Sequence, residues 1–72
     1  MANAVLELRA FLDMSQGEMA DTMDCYQAEV SQWERGLRAM SATTALRWWS
    51  RFRRPLREMG FRCEDLLKIG RP

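Results

Sequence analysis

Three observations predict an all-α fold for this sequence. No segment alternates apolar and polar residues as a half-buried strand does. Ala, Leu, Met, Arg and Glu are plentiful while Val, Ile and Thr are scarce. Apolar residues recur at intervals of three and four, in short blocks separated by capping residues and glycines. At 72 residues, 47% of them hydrophobic, the chain is expected to form one domain, 1–72, near the lower size at which a core forms unaided.

The first helix is expected from about Ala4 to Leu12. Asn3 caps it, and Val5, Leu8 and Leu12, flanked by Ala4 and Phe11, give its apolar stripe. Asp13 is a left-handed exit residue. The second helix opens on a capping box, Ser15-Gln16-Gly17-Glu18, with Met14 and Met19 placed as a hydrophobic staple. Its inner face is Met19, Ala20 and Met23, and it ends near Asp24. Cys25 and Tyr26 leave room only for a tight turn before the third helix, whose inner face is read as Val30, Trp33 and Tyr26. Gln27, Ala28, Ser31 and Gln32 share the opposite face, and Gly36 ends the helix.

After a loop from Leu37 to Met40, Ser41 caps a fourth helix. Its stripe of Ala45, Trp48, Trp49, Phe52, Leu56 and Met59 runs through Pro55, which predicts a kink or a fresh start there. Gly60 ends that segment. Cys63 to Ile69 forms a last short helix with Leu66, Leu67 and Ile69 inward, and Gly70-Arg71-Pro72 is expected to fray.

Composition narrows the function classes. There is no histidine, and the two cysteines, Cys25 and Cys63, are too few for a structural zinc site. They read as free thiols, Cys25 as a buried one, because nothing marks the chain as secreted. No cofactor or metal is expected. Without a nucleophile–base pair or a Gly-rich phosphate loop, an enzyme is not expected either. No apolar run is long enough to cross a membrane, which suits a cytoplasmic protein. The net charge of +1 conceals a division. Residues 1–34 hold seven acids and one base, and residues 35–72 hold ten bases and three acids. A dipolar chain of this kind can orient against a polyanion.

The segment from Ser15 to Gly36 resembles the helix-turn-helix of the Cro/XRE, or lambda-repressor-like, family of phage and bacterial regulators. The matching residues are Ser15 and Gln16 opening the second helix, Met19-Ala20 and Met23 within it, Val30 and Trp33 in the third, and Glu34 two residues before Gly36. The resemblance extends over roughly residues 5–46. It implies a five-helix fold and an ion pair between Arg9 and Glu34. The sequence departs from the family at Asp24, where a turn glycine is usual, at Tyr26, which replaces a Ser/Thr cap, and in the length of Ser41–Met59.

The resemblance implies that Gln27, Ala28 and Gln32, with Glu29 and Ser31 beside them, read bases in the major groove. Their chemistry suits that role, since Gln matches adenine N6 and N7, Ala the thymine methyl, and Glu the cytosine amino group. Gln16, at the positive end of the second helix, is expected on a phosphate, as are Arg35, Arg38 and Ser41. One reading helix covers only about 4–6 base pairs, so a homodimer on a pseudo-palindromic operator is expected, acting as a repressor. The stretch of about 43–69 is the expected dimerisation segment. Ala45, Trp48, Phe52, Leu56 and Met59 follow the inner stripe. Trp49 stands about 100° from Trp48 and is assigned to the interface, together with the residues after Pro55, beginning with Leu56. The alternative is a module of the same fold whose main partner is another protein, an antitoxin or anti-repressor.

Overall fold

Asn3 opens the first helix as anticipated: its Oδ1 accepts from the amides of Val5 and Leu6 at 3.0 and 3.1 Å. The computed structural model describes residues 3–71, which form five helices and no strand. These are α1 (Ala4–Phe11), α2 (Gln16–Met23), α3 (Gln27–Glu34), α4 (Ala42–Glu58) and α5 (Cys63–Leu67). Side-chain chemistry bounds the first two. The capping box of α2 is complete, with Ser15 Oγ accepting from the Glu18 amide and the Glu18 carboxylate accepting from the Ser15 amide. Asp13 and Asp24 take left-handed backbone conformations, φ 54° and 53°, and so turn the chain between α1 and α2 and between α2 and α3 without glycine.

The core is drawn from all five helices. Val5 and Leu8 of α1, Met19 of α2, Val30 and Trp33 of α3, four residues of α4 and Leu66 of α5 are buried together. Trp33 and Trp48 meet edge to face, ring centroids 5.6 Å apart, and Trp48 continues to Phe52 at 6.0 Å. Trp33 Nε1 has no oxygen or nitrogen acceptor, so buried area and ring contact hold that indole in place.

Pro55 sets the shape of α4. A proline has no amide hydrogen, and its ring collides with the carbonyl four residues earlier, here that of Arg51. The chain avoids the collision at Phe52, whose φ of −121° and ψ of 26° leave helical geometry. The expected kink is present, three residues before the proline. Pro55 falls in the first turn of the second segment, where an amide would lack a helical partner in any case.

Several expectations need correction. Phe11 is half-exposed, at the margin of the α1 stripe in its last turn. Tyr26 is 80% exposed and not an inner residue of α3. It occupies the N-cap position in extended backbone, which directs its ring outward. Leu56 is fully buried, so it belongs to the core and is inaccessible to a second subunit. The kink carries the α4 stripe past Pro55 unbroken. Met40, expected in a plain loop, is fully buried.

Gly70 and Arg71, expected to fray, are in contact with the rest of the chain; Pro72 lies outside the described residues. Arg71 donates to the Leu67 carbonyl at 2.8 Å. Gly70, at φ 71°, lies so close to the loop after α3 that an added Cβ would stand 2.5 Å from the Arg38 carbonyl oxygen. Gly36 has a similar φ but open space around it. Gly70→Ala is therefore expected to cost about 2–4 kcal/mol, combining left-handed strain with a backbone clash, and Gly36→Ala about 1–2 kcal/mol. Urea denaturation of the two variants checks the difference. Equal losses would mean that the chain end does not brace that loop.

Candidate nucleic-acid interface

The outward face of α3 is held by an ion pair in which three parts of the chain meet. Arg9 Nε and Nη2 donate to the two carboxylate oxygens of Glu34 at 2.6 and 3.1 Å, and Nη1 donates to the Met14 carbonyl at 3.0 Å. Gln16 Nε2 adds a further bond to Glu34 Oε1 at 3.0 Å. The Glu34 side chain is only 6% exposed. Burial pushes its carboxyl pKa up, but the hydrogen bonds from Arg9 and Gln16 and the Arg9 charge together outweigh burial and hold it below the ordinary value. Arg9 is raised in turn, chiefly by its hydrogen bond to Glu34. The implied Arg9–Glu34 pair is present, and it fixes the end of α3 to α1 and to the start of α2.

Gln16 is thereby committed. Its side-chain amide, expected on a phosphate, points to Glu34. The backbone amides of Gln16 and Gly17 remain as first-turn donors with no helical carbonyl to bond. Gln27 lies over this helix start: a Cβ on Gly17 would be 3.6 Å from Gln27 Oε1.

Of the five residues expected to read bases, Gln27 and Ala28 are exposed and Glu29, Ser31 and Gln32 are half-buried. Arg38 reaches back over two of them. Its Nε donates to Gln32 Oε1 at 2.9 Å, and its Nη1 donates to Glu29 Oε2 at 3.4 Å. Glu29 Oε1 accepts from the Tyr26 amide at 3.2 Å, so both carboxylate oxygens are engaged. In Gln32 the Nε2 donor is left over. The sequence offered no sign of this arrangement, because a partner six residues from Gln32 depends on the loop conformation. Arg35 is the exposed C-cap of α3. The Ser41 hydroxyl is used within the chain, where it accepts from the Thr44 amide and donates to Thr44 Oγ1.

Elsewhere, Trp49 is half-buried against the core, in a shallow recess with Arg57, Gly60, Phe61 and Arg62. The thiol of Cys25 is half-buried rather than buried, and burial with its acidic neighbours Glu29 and Asp24 still raises its pKa despite Arg47. Among the described residues no helix is long and apolar enough to cross a membrane, and no cluster of ligating side chains could hold a metal.

The Arg9–Glu34 cluster makes the fold acid-sensitive. A carboxyl held below its ordinary value of 4.5 stabilises the fold fully above that value, and the contribution is lost as pH falls through the lower folded value. Glu34→Gln should cost about 2–4 kcal/mol at neutral pH and flatten the decline of stability below pH 4.5. Denaturant titrations of both proteins at several pH values check this. An acid limb as steep in the variant as in the parent would place the sensitivity elsewhere.

Comparison with known protein families, characterised proteins and solved structures returns no match for this chain.

Proposed function

We propose that this protein binds duplex DNA sequence-specifically, with α2 and α3 acting as a helix-turn-helix of the lambda-repressor type and α3 entering the major groove. The supporting observation is the pairing of two eight-residue helices across the left-handed Asp24 turn, the second pinned at its end by Glu34 and presenting Gln27, Ala28 and the free Nε2 of Gln32. Short uncharged side chains of this kind fit close to a duplex and discriminate base edges by hydrogen bonding. The backbone amides at the start of α2, beside Gln27, suit a phosphate of the same half-site. In a regulator of this kind two copies would bind a pseudo-palindrome, and repression by occupancy is the simplest outcome.

Arg38 has a place in this reading that differs from a plain phosphate contact. Because its guanidinium occupies Gln32 Oε1, Gln32 is left as a donor toward groove acceptors such as guanine O6, purine N7 or thymine O4. Glu29, neutralised by the same side chain, is a weak reader. Arg38 thus sets how Gln32 reads.

A second reading, a module that binds another protein, draws on different residues. In the aromatic segment from Trp48 to Leu56, which favours such a module by its bulk, Trp48, Phe52 and Leu56 are core, and of its rings only that of Trp49 is partly exposed. Tyr26 and Leu37 flank α3 at 80% and 67% exposure and could contact an apolar surface.

Selection from random duplex DNA tests the proposal. A defined site should emerge, and Gln27→Ala and Gln32→Ala should each weaken it by about 1–3 kcal/mol and relax preference at separate positions. Arg38→Ala should alter preference at the Gln32 position. If it lowered affinity for all duplexes alike, with about one unit less salt slope, it would be a phosphate contact. Failure to enrich any sequence, with unchanged behaviour of the Gln variants, would favour the protein-binding module.

A further inference from the structure

The arginines of α4 form a surface that the α3 reading does not use. Arg47, Arg51, Arg53, Arg54 and Arg57 are all exposed. Arg47 donates to the Met23 carbonyl and Arg51 lies over the Phe52 ring. Arg53, Arg54 and Arg57 line one recess with Glu58, and among the described residues no carboxylate pairs with any of the three. Through Arg57 this recess adjoins the one lined by Trp49, Phe61 and Arg62.

Arg57, in the last turn of α4, suits the helix C-terminus, but Arg53 and Arg54 are not placed to serve the fold. The break at Phe52 puts Arg53 and Arg54 in the first turn of a helical segment, the end that disfavours cations. Arg53 and Arg57 repel one another across one turn. The acids that balance them overall lie in residues 1–34 and form no ion pair with them.

We infer that Arg53, Arg54 and Arg57 form a second, sequence-independent contact for the phosphate backbone of duplex nucleic acid. Guanidinium forks match phosphate oxygens in pairs, and a duplex supplies the densest run of phosphates such a patch could meet. Other occupants fit less well. A second copy docked two-fold about Trp49 would set Arg57 and Arg62 of both copies against each other, since such an interface is self-complementary. A single strand needs aromatic faces for stacking, and no aromatic lines the recess of Arg53, Arg54 and Arg57, while Trp49 and Phe61 beside it are half-buried on the core. An anionic membrane surface would want exposed apolar side chains among the cations. The recess of Arg53, Arg54 and Arg57 has none, and Leu46, the exposed leucine of α4, lies before the break at Phe52.

The inference is independent of α3, and its test uses duplex of random sequence. Affinity is measured between about 50 and 200 mM salt for the parent, for a variant with Arg53→Gln, Arg54→Gln and Arg57→Gln, and for one with the same three changed to Lys. The Gln variant should lose about two to three units of the logarithmic salt slope. The Lys variant should keep the slope, and the sequence selected by α3 should stay the same in all three. Should the Gln variant fold poorly, Arg54→Gln alone should remove about one unit. An unchanged slope overturns the inference, as does a parent that binds no duplex at low salt. Competition by poly-glutamate as effective as duplex at equal charge would assign the patch to an acidic protein. A parent dimer made monomeric by Trp49→Ala would assign it to self-association.

Discussion

The placement of α3 depends on one buried carboxylate. Glu34 sits at the last position of that helix and is reached by Arg9 from α1 and Gln16 from α2. A charge so nearly enclosed would be costly if unpaired, so the three elements have only a narrow range of mutual orientations in which they can coexist. Apolar burial drives the collapse of the same helices but is tolerant of small rotations. The bidentate geometry is not tolerant, and it sets the angle at which Gln27 and Ala28 leave the surface. Arg9 also holds the Met14 carbonyl, bringing the link between α1 and α2 into the same constraint.

Much of this architecture was legible because its signals are local. The capping box at Ser15–Glu18, the left-handed aspartates and the stripe of α4 each rest on a few neighbouring residues. The core of α4 could be read through Pro55 for the same reason, since periodicity survives a kink that costs no register. Where a residue's surroundings come from distant parts of the chain, the sequence was silent. Tyr26 looked like a core aromatic until the turn fixed its backbone. Leu56 reads two ways, as part of the inner stripe and, lying after Pro55, as interface, and the kink decides for the core; Met40 is buried only through the path of a loop. The candidate site divides in the same way. Its residues share one helix face by spacing alone, but the hold of Arg38 on Gln32 and Glu29 requires the loop after α3 to fold back.

Charge is arranged in a manner that matters for any polyanion partner. The α2–α3 unit is rich in acids, with Glu18 and Glu29 drawn into backbone capping and Glu34 into the core pair. On this face the cations are Arg35, exposed at the C-cap, and Arg38, engaged with its neighbours. The surplus positive charge lies on α4. A protein so divided can keep close-range hydrogen bonding on one helix and long-range attraction on another.

The close approach of Gly70 to the Arg38 carbonyl has a consequence for motion. It joins the end of the chain to the outlet of α3, while Arg9 and Glu34 join the start of the chain to the same helix. With both ends fastened to one element, α3 has no short route to local opening. Exchange of the Leu37 amide, which donates to the Gln32 carbonyl at 2.9 Å, should then follow opening of the whole domain, despite the exposure of that residue to solvent. The last turn of α3, which carries Gln32, would be among the slower parts of the surface to move.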